Sequence, residues 1–430
     1  MASLIKNRDL LAVNPLRERA LKILEAGLEA IDTRKAIRKS VSLNGDFLFV
    51  KDHAYDLTHY RRIFLVAFGK DSFVASSELK DLLGERIKDG VVLSLKNEKI
   101  AGFQTYQCTH PQTSLNNVEA TKKVIEMVSA AEEDDLILVV ISGGGSAMLT
   151  SPYKITFSDK ALIADTLMNS GANISELNIV RKHLSEIKGG RLAALSFPST
   201  VVTLIFSDVV GNDLSTIASG PTVMDHTSIE DAKKVLEKFK IKEKVMMGDL
   251  ELTETPKEEK YFQKVQNYLL MDNSVATGAM EEAARALAYS TRILSNNLKG
   301  NSHEIGKDLL KEGKKGEALI AAGETTVQIV GQGLGGRNQE MALANLENVK
   351  DNQILISVGS DGHDHSEYAG GICDAYTKKK ATEEKLDPKD FLGNNDSYHF
   401  FQKLGEGIDT GQLESNVADL MLVLTDLPNV

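Results

Sequence analysis

The residues best equipped for chemistry stand beside glycines at the ends of apolar runs. Leu136 to Ile141 is such a run, and it leads into Ser142-Gly143-Gly144-Gly145-Ser146. Three glycines remove side chains there, so backbone N–H groups can point at an anion. Ala147-Met148-Leu149 can then open a helix whose N-terminal dipole adds to the attraction. Arg62 to Phe68 ends in Gly69-Lys70, which sets an ammonium just past a buried strand. This is not a Walker A loop, since GxxxxGK[ST] occurs nowhere in the chain. Val201 to Phe206 leads into Ser207-Asp208, where a base or a metal neighbour would stand; the Asp, Gly and Asn content of 208–213 equally suits a plain turn.

The second half carries Gly331-Gln332-Gly333-Leu334-Gly335-Gly336, which matches GxGxxG. It follows an apparent strand, Thr325 to Val330, and precedes an apparent helix. Asp361 lies beyond the next strand at roughly the 20-residue spacing of a dinucleotide site. Taken alone, that says NAD. Arg337 follows the last glycine, however, and a planar guanidinium over a glycine loop suits a triphosphate at least as well as a pyrophosphate. Ser360-Asp361-Gly362-His363-Asp364-His365 places Asp361 and Asp364 three apart at a strand end, where they can hold Mg²⁺ through carboxylates and water. The two histidines suggest a transition metal only weakly, since no further His or Cys ligand stands at a known spacing. Cations also gather on Ser175 to Lys188. Its stripe of Leu177, Val180, Leu184 and Ile187 predicts a helix ending at Gly189-Gly190, with Arg181, Lys182 and Lys188 along it.

The elements that must hold these groups follow from periodicity. Arg62–Phe68, Val91–Leu95, Leu136–Ile141 and Val201–Phe206 read as strands buried on both faces, with helices between them such as Asn117–Ala131. That predicts a parallel α/β sheet over the first half. The second half resumes the rhythm, with helices at Asn273–Ala288, Ser302–Leu310 and Asn338–Leu346. Its strands are read at Arg292–Leu294, Ala318–Ala321, Thr325–Val330, Ile354–Val358 and Met421–Leu424. Lys242 to Lys264, rich in Lys and Glu, reads as a surface excursion and the junction between domains 1–245 and 265–430.

Composition narrows the function. In 430 residues, 50 basic against 61 acidic side chains leave −11, which argues against nonspecific binding to nucleic acid or to an anionic membrane. Trp is absent, so a ring platform for stacking single strands is unexpected. Cys108 and Cys373 form no framework, no leader is legible at Met1, and no apolar run nears the roughly 20 residues of a membrane span. A cytoplasmic setting is expected. Oligomeric state is not legible.

The order of motifs resembles the class II glycerate kinase family, whose C-terminal part is the MOFRL domain. The resemblance rests on Gly69-Lys70, His110-Pro111, SGGGSA from Ser142, LNIVRKHLSEIKGGRLA from Leu177, SDVVGNDLSTIASGPTV from Ser207, GETTV from Gly323, GGRNQE from Gly335 and the SDG of Ser360 to Gly362. It covers nearly the whole chain. It implies two α/β domains around a cleft that holds the active site, the N-terminal one Rossmann-like. The implied reaction is transfer of the ATP γ-phosphoryl group to the 2-hydroxyl of D-glycerate with Mg²⁺. The family's important Lys and Arg map onto Lys70 and Arg337. Some members have been labelled hydroxypyruvate reductases, and an NAD(P)-dependent reductase using Gly331–Gly336 is the alternative reading. A nucleotide- or sugar-acid-sensing protein without catalysis is a third.

On the kinase reading, Ser142, Gly143, Gly144, Gly145, Ser146, Gly335, Gly336 and Arg337 are expected at nucleotide phosphates and Lys70 at the transferring group. Asp208 is the expected base, Asp361 and Asp364 the expected metal ligands, and Arg181 and Lys182 the expected partners of the substrate carboxylate. The chain departs from the family pattern in three places. His365 replaces the second Gly of the acidic loop. Gly411 to Asp419 lacks the usual Pro and both Thr and gains Glu414. Gln112-Thr113-Ser114 replaces VPDE. If those loops touch substrate, the acceptor is a sugar acid related to glycerate.

Overall fold

The structure, a computed structural model, describes residues 3–246, 248 and 250–426. The chain divides into two compact units. One is Thr33–Leu270; the other joins Met1–Asp32 to Met271–Val430. The segment Lys242–Lys264, expected as the domain seam, lies inside the first unit. Met247 and Asp249 of that segment are outside the described residues.

The Thr33–Leu270 unit opens with β1 (Val41–Asn44), β2 (Phe47–Val50) and β3 (His53–Asp56), an antiparallel meander. Strands of four residues are too short for alternation to stand out, and the sequence pattern misses them. The main sheet contains β4 (Arg62–Phe68), β5 (Ile87–Ser94), β6 (Gln104–Gln107), β7 (Asp135–Ile141), β8 (Thr200–Phe206) and β9 (Val265–Met271). Their order is β6-β5-β4-β7-β8-β9, and the pairs from β6 to β8 are all parallel. β7 is buried at every position and β4 at every position after Arg62. This explains why Val, Ile and Leu run on without alternation: helices cover both faces. Phe64, Val66 and Phe68 pack with Ile137, Val139 and Ile141 on one of these faces. Phe68 pairs with Ile141, and Ile141 with Ile205. In-register parallel pairing therefore delivers Gly69-Lys70, Ser142–Ser146 and Ser207-Asp208 to one edge of the sheet.

A helical layer follows β7. Phe157–Asn169, Ile174–His183 and Ile229–Lys238 each begin with a capping box, at Thr156, Asn173 and Ser228. They bury Ile163, Leu167, Leu177, Val180 and Val235 together. The cation-bearing helix stops at His183, one turn before the pattern predicts. Ser185 leaves it to bridge Pro152, and Glu186 N–H donates to Ser151 O. Lys188 is therefore in a loop, ahead of Gly189 and Gly190 at φ 59° and 82°.

The other unit holds β10 (Ser290–Asn301), β11 (Glu317–Thr326), β12 (Gln353–Gly359), β13 (Gly370–Asp374), β14 (Gly407–Ile408) and β15 (Asp419–Thr425). The order is β10-β11-β15-β12-β13-β14; only β10 and β11 pair in parallel among the registered neighbours. The two strands expected at Ala318–Ala321 and Thr325–Val330 are one, and it ends at Thr326. The helix Pro15–Ala30 starts on an Asn14 cap with proline at its first turn. It packs so closely on Asn273–Ala286 that a Cβ at Gly27 would lie 2.6 Å from Met280 Cγ. Its Arg17 is fully buried. The guanidinium forks onto Asp374 at 2.7 and 2.8 Å and donates to Glu406 at 3.0 Å.

Candidate active-site clusters

At the β4–β7–β8 edge, backbone geometry fixes the side chains. Lys70 N–H donates to Gly143 O at 2.8 Å, and Asp71 N–H to Ser142 Oγ at 3.0 Å. Thr33 Oγ1 holds Asp71 from the other side at 2.9 Å. The glycines are sterically required. A Cβ at Gly69 would sit 2.3 Å from Ser142 Oγ, one at Gly143 2.4 Å from Asp208 Oδ2, and one at Gly144 2.9 Å from the His110 ring. Lys70, Ser142, Gly143, Gly144 and Asp208 are thus brought together as expected of a strand-end ligand site. Gly143 and Gly144 keep N–H groups that no backbone carbonyl among the described residues accepts. Gly145 begins a single helical turn, Gly145–Met148. His110 stands against the same loop. Desolvation, and then the Lys70 ammonium, hold it below the usual imidazole range. In sequence His110 stands out only within the His110-Pro111 motif, since its contact with the glycine loop comes from residues more than 30 positions away.

The expected carboxylate binders separate. Lys182 is buried, and its Nζ donates to Asp225 at 3.1 Å. Burial alone would raise Asp225, but Lys182 and the Thr227 hydroxyl outweigh it and leave the acid below its ordinary range. Arg181 is half-buried, and desolvation lowers it despite Asp165. Lys188, read only as one of a cationic row, is buried and donates to Ser146 O at 2.8 Å, locking the glycine loop from below.

In the other unit a cavity of about 170 Å³ is lined by Arg337, Asn338, Asp361, His363, Asn416 and Asp419, among others. That is room for a phosphate-sized group, well under the ~300 Å³ of a pocket for a whole nucleotide. Arg337 grips Asp419 through Nε at 2.6 Å and Nη2 at 3.0 Å, while Nη1 donates to Glu324 at 2.9 Å. Burial alone would lower Arg337; Asp419 and Glu324 hold it higher. Burial pushes Asp419 up to about 6, against the opposing pull of Arg337 and Asn338.

Asp364 caps the helix Arg337–Ala344. It accepts from Asn338 N and Gln339 N at 3.2 and 2.8 Å and from both side-chain amides. A Cβ at Gly336 would come within 2.2 Å of it. With its oxygens spent, Asp364 does not suit a metal. Magnesium on a triphosphate asks a protein for one or two carboxylates, the rest coming from phosphate and water. Asp361, half-buried at the same cavity, fits that smaller part. Among the described residues no group of three His, Cys, Asp or Glu forms a metal cage.

The GxGxxG loop is closed to a dinucleotide. Val330 and Gly331 N–H donate to Asn395 Oδ1, Gln332 N–H to Asn394 Oδ1, Gly333 N–H to Asn394 O and Leu334 N–H to Asp396 Oδ1. The amides that would cradle a pyrophosphate are spent within the protein. A Cβ at Gly335 would lie 2.1 Å from Ser397 Oγ, so this glycine serves packing. The acidic loop and the Gly411–Asp419 loop, both unusual in sequence, touch. Leu413 N–H donates to Asp361 O at 2.8 Å, and a Cβ at Gly362 would lie 2.0 Å from Gly411 O.

A family model described as a domain of unknown function (DUF4147) matches residues 19–248, and the MOFRL family model matches residues 317–419. The chain is 35% identical over 428 residues to D-glycerate 2-kinase of Thermotoga maritima, covering 95% of this chain and 98% of the relative. It is 32% identical over 436 residues to glycerate 2-kinase of Pyrococcus horikoshii, covering 95% and 97%. The crystal structure of glycerate kinase from Thermotoga maritima superimposes with a TM-score of 0.83 at 32% identity, covering 95% of this chain and 99% of that one.

Proposed function

Because the chain belongs to the glycerate 2-kinase family, with a MOFRL C-terminal part, we propose that it transfers the γ-phosphoryl group of ATP to the 2-hydroxyl of D-glycerate, giving 2-phosphoglycerate and ADP. The observation that carries the reading is the convergence of Lys70, the Ser142–Ser146 loop and Asp208 at one parallel strand edge. Such transfer needs positioning and charge neutralisation more than covalent chemistry.

In this reading Gly143 and Gly144 N–H groups orient phosphate oxygens, and Lys70 offsets charge on the transferring group. The acceptor hydroxyl oxygen attacks phosphorus as the bond to ADP breaks, and Asp208 takes the hydroxyl proton. Arg337, held by Asp419, directs its remaining N–H groups to a nucleotide phosphate in its own unit. Mg²⁺ would enter with ATP, with Asp361 as its protein carboxylate, and supply further neutralisation of phosphate charge. A cytoplasmic setting, where ATP is abundant, suits two buried free cysteines; among the described residues no helix is long and apolar enough to cross a membrane.

The test is ADP release with D-glycerate, L-glycerate, tartronate, erythronate and hydroxypyruvate, followed by NMR of the product ester. D-Glycerate giving the 2-phospho ester supports the reading. Consumption of NADH or NADPH without ATP would replace it with the reductase.

A further inference from the structure

Lys160 lies on the helix Phe157–Asn169, on the face that sends Ile163 and Leu167 into the helical core. The residue is only 8% exposed, and its Nζ has no hydrogen-bond partner among the described residues. Leaving a buried ammonium unpaired is costly, and burial first of all pushes the Lys160 amine down to about 7. Its neighbours add to that cost. Arg181 and Arg191 oppose its charge, and among the described residues Glu186, itself exposed and engaged by Ser151 Oγ at 2.6 Å, is the one acid acting on it. Lys188 is buried nearby, and its protons go to the Ser146 and Ala218 carbonyls at 2.8 and 3.5 Å rather than to an acid. Arg191 is spent on the carbonyls of Lys182, Lys188 and Thr253. Lys182, next to Arg181 in sequence, is already neutralised by Asp225. What remains is a group of cationic side chains acting on one another, Lys160, half-buried Arg181 and Lys188, of which Lys188 holds the glycine loop.

We infer that Lys160, Arg181 and Lys188 form an anion-binding pocket beside the Ser142–Ser146 loop, and that its ligand is the carboxylate of the sugar-acid acceptor. Arg181 admits the anion, Lys160 supplies the donor that has no internal partner, and Lys188 fixes the loop that closes over it. The choice of ligand rests on the kinase reading; the cationic pocket does not.

Full-length wild type, Lys160→Met and Lys160→Arg are compared by thermal denaturation without ligand, with D-glycerate and with inorganic phosphate, and by steady-state kinetics. Without ligand, Lys160→Met melts above wild type, because an unpaired amine is gone. D-Glycerate raises the melting temperature of wild type and Lys160→Arg but not of Lys160→Met. The KM for D-glycerate rises about 10-fold or more in Lys160→Met, as for loss of a charged hydrogen bond, while the KM for ATP stays within about twofold. Equal responses to D-glycerate in wild type and Lys160→Met overturn the pocket. A Lys160-dependent response to phosphate and none to D-glycerate overturns the carboxylate assignment. If no acid is phosphorylated, the kinase reading fails, yet a Lys160-dependent anion response still upholds the pocket.

Discussion

Arg337 and Asp419 face each other in a two-pronged pair, with the guanidinium 28% and the carboxylate 1% exposed. The fork leaves Arg337 oriented before any ligand arrives, and Lys cannot reproduce two parallel donors. Arg337→Lys should therefore lower turnover with ATP, and Arg337→Ala by about 10²–10³. Folding should be checked in parallel, because removing Arg337 strands a buried acid. The pair also gives a signed pH effect. Asp419 keeps its proton in the folded chain up to about 6, whereas the ordinary value is 3.8. As pH falls between these limits, the folded state holds a proton that the unfolded state has released, so this residue stabilises folding more at the acidic end. Chemical denaturation of wild type against Asp419→Asn should show the difference moving in favour of wild type from pH 6 to 4.

At the other strand edge, Gly143→Ala places a methyl group 2.4 Å from Asp208 Oδ2. Either the loop or the acid must move. We expect a stability loss of about 1–3 kcal/mol, together with a turnover loss comparable to that of Lys70→Ala, about 10²–10³. Melting curves and ADP release measure the two losses separately.

Lys182 and Asp225 form a buried pair, 5% and 2% exposed in their side chains. Lys182→Met leaves Asp225 uncompensated and should cost about 3–5 kcal/mol in urea denaturation. Lys182→Met with Asp225→Leu should recover much of that loss. A fall in glycerate affinity with no loss of stability would instead assign Lys182 to substrate.

Asn395 accepts from Val330 and Gly331 and donates to the buried Glu340 at 2.7 Å. Asn395→Ala should free the loop, exposing its amides to faster hydrogen exchange, and destabilise the protein by about 1–3 kcal/mol. Wild type should show no saturable change in NADH fluorescence.

His365 occupies φ 52°, in the left-handed region, where the family pattern has glycine. Glycine adopts that conformation without the steric cost that a Cβ adds. His365→Gly should stabilise the protein by roughly 1 kcal/mol, measured by the shift in denaturation midpoint.

What was legible in the sequence was whatever a short window determines. β4, β7 and β8 announced themselves because burial on both faces demands unbroken apolar runs, and their glycine-rich ends followed. What escaped depends on distant partners. The charges on Arg181, Lys182 and Lys188 look alike in sequence; Asp225, 43 residues beyond Lys182, decides which one is neutralised. The Gly331–Gly336 loop reads as a ligand cradle until Asn395, 65 residues past Val330, takes its amides. β13 escapes the sequence pattern because it begins with Gly370-Gly371, which have no side chains to show a period. Gly370 is forced by Ser357 O, 1.9 Å from any Cβ placed there.

The burial of Arg17 also sets a schedule for synthesis. Its partner Asp374 lies 357 residues downstream. At roughly 5–20 residues per second, the helix Pro15–Ala30 waits on the order of tens of seconds after leaving the ribosome before its charge can be met. The whole Thr33–Leu270 unit is made in the interval and can close on itself first. A nascent chain stalled short of Asp374 would hold the whole Thr33–Leu270 unit and a helix whose Arg17 still lacks its partner.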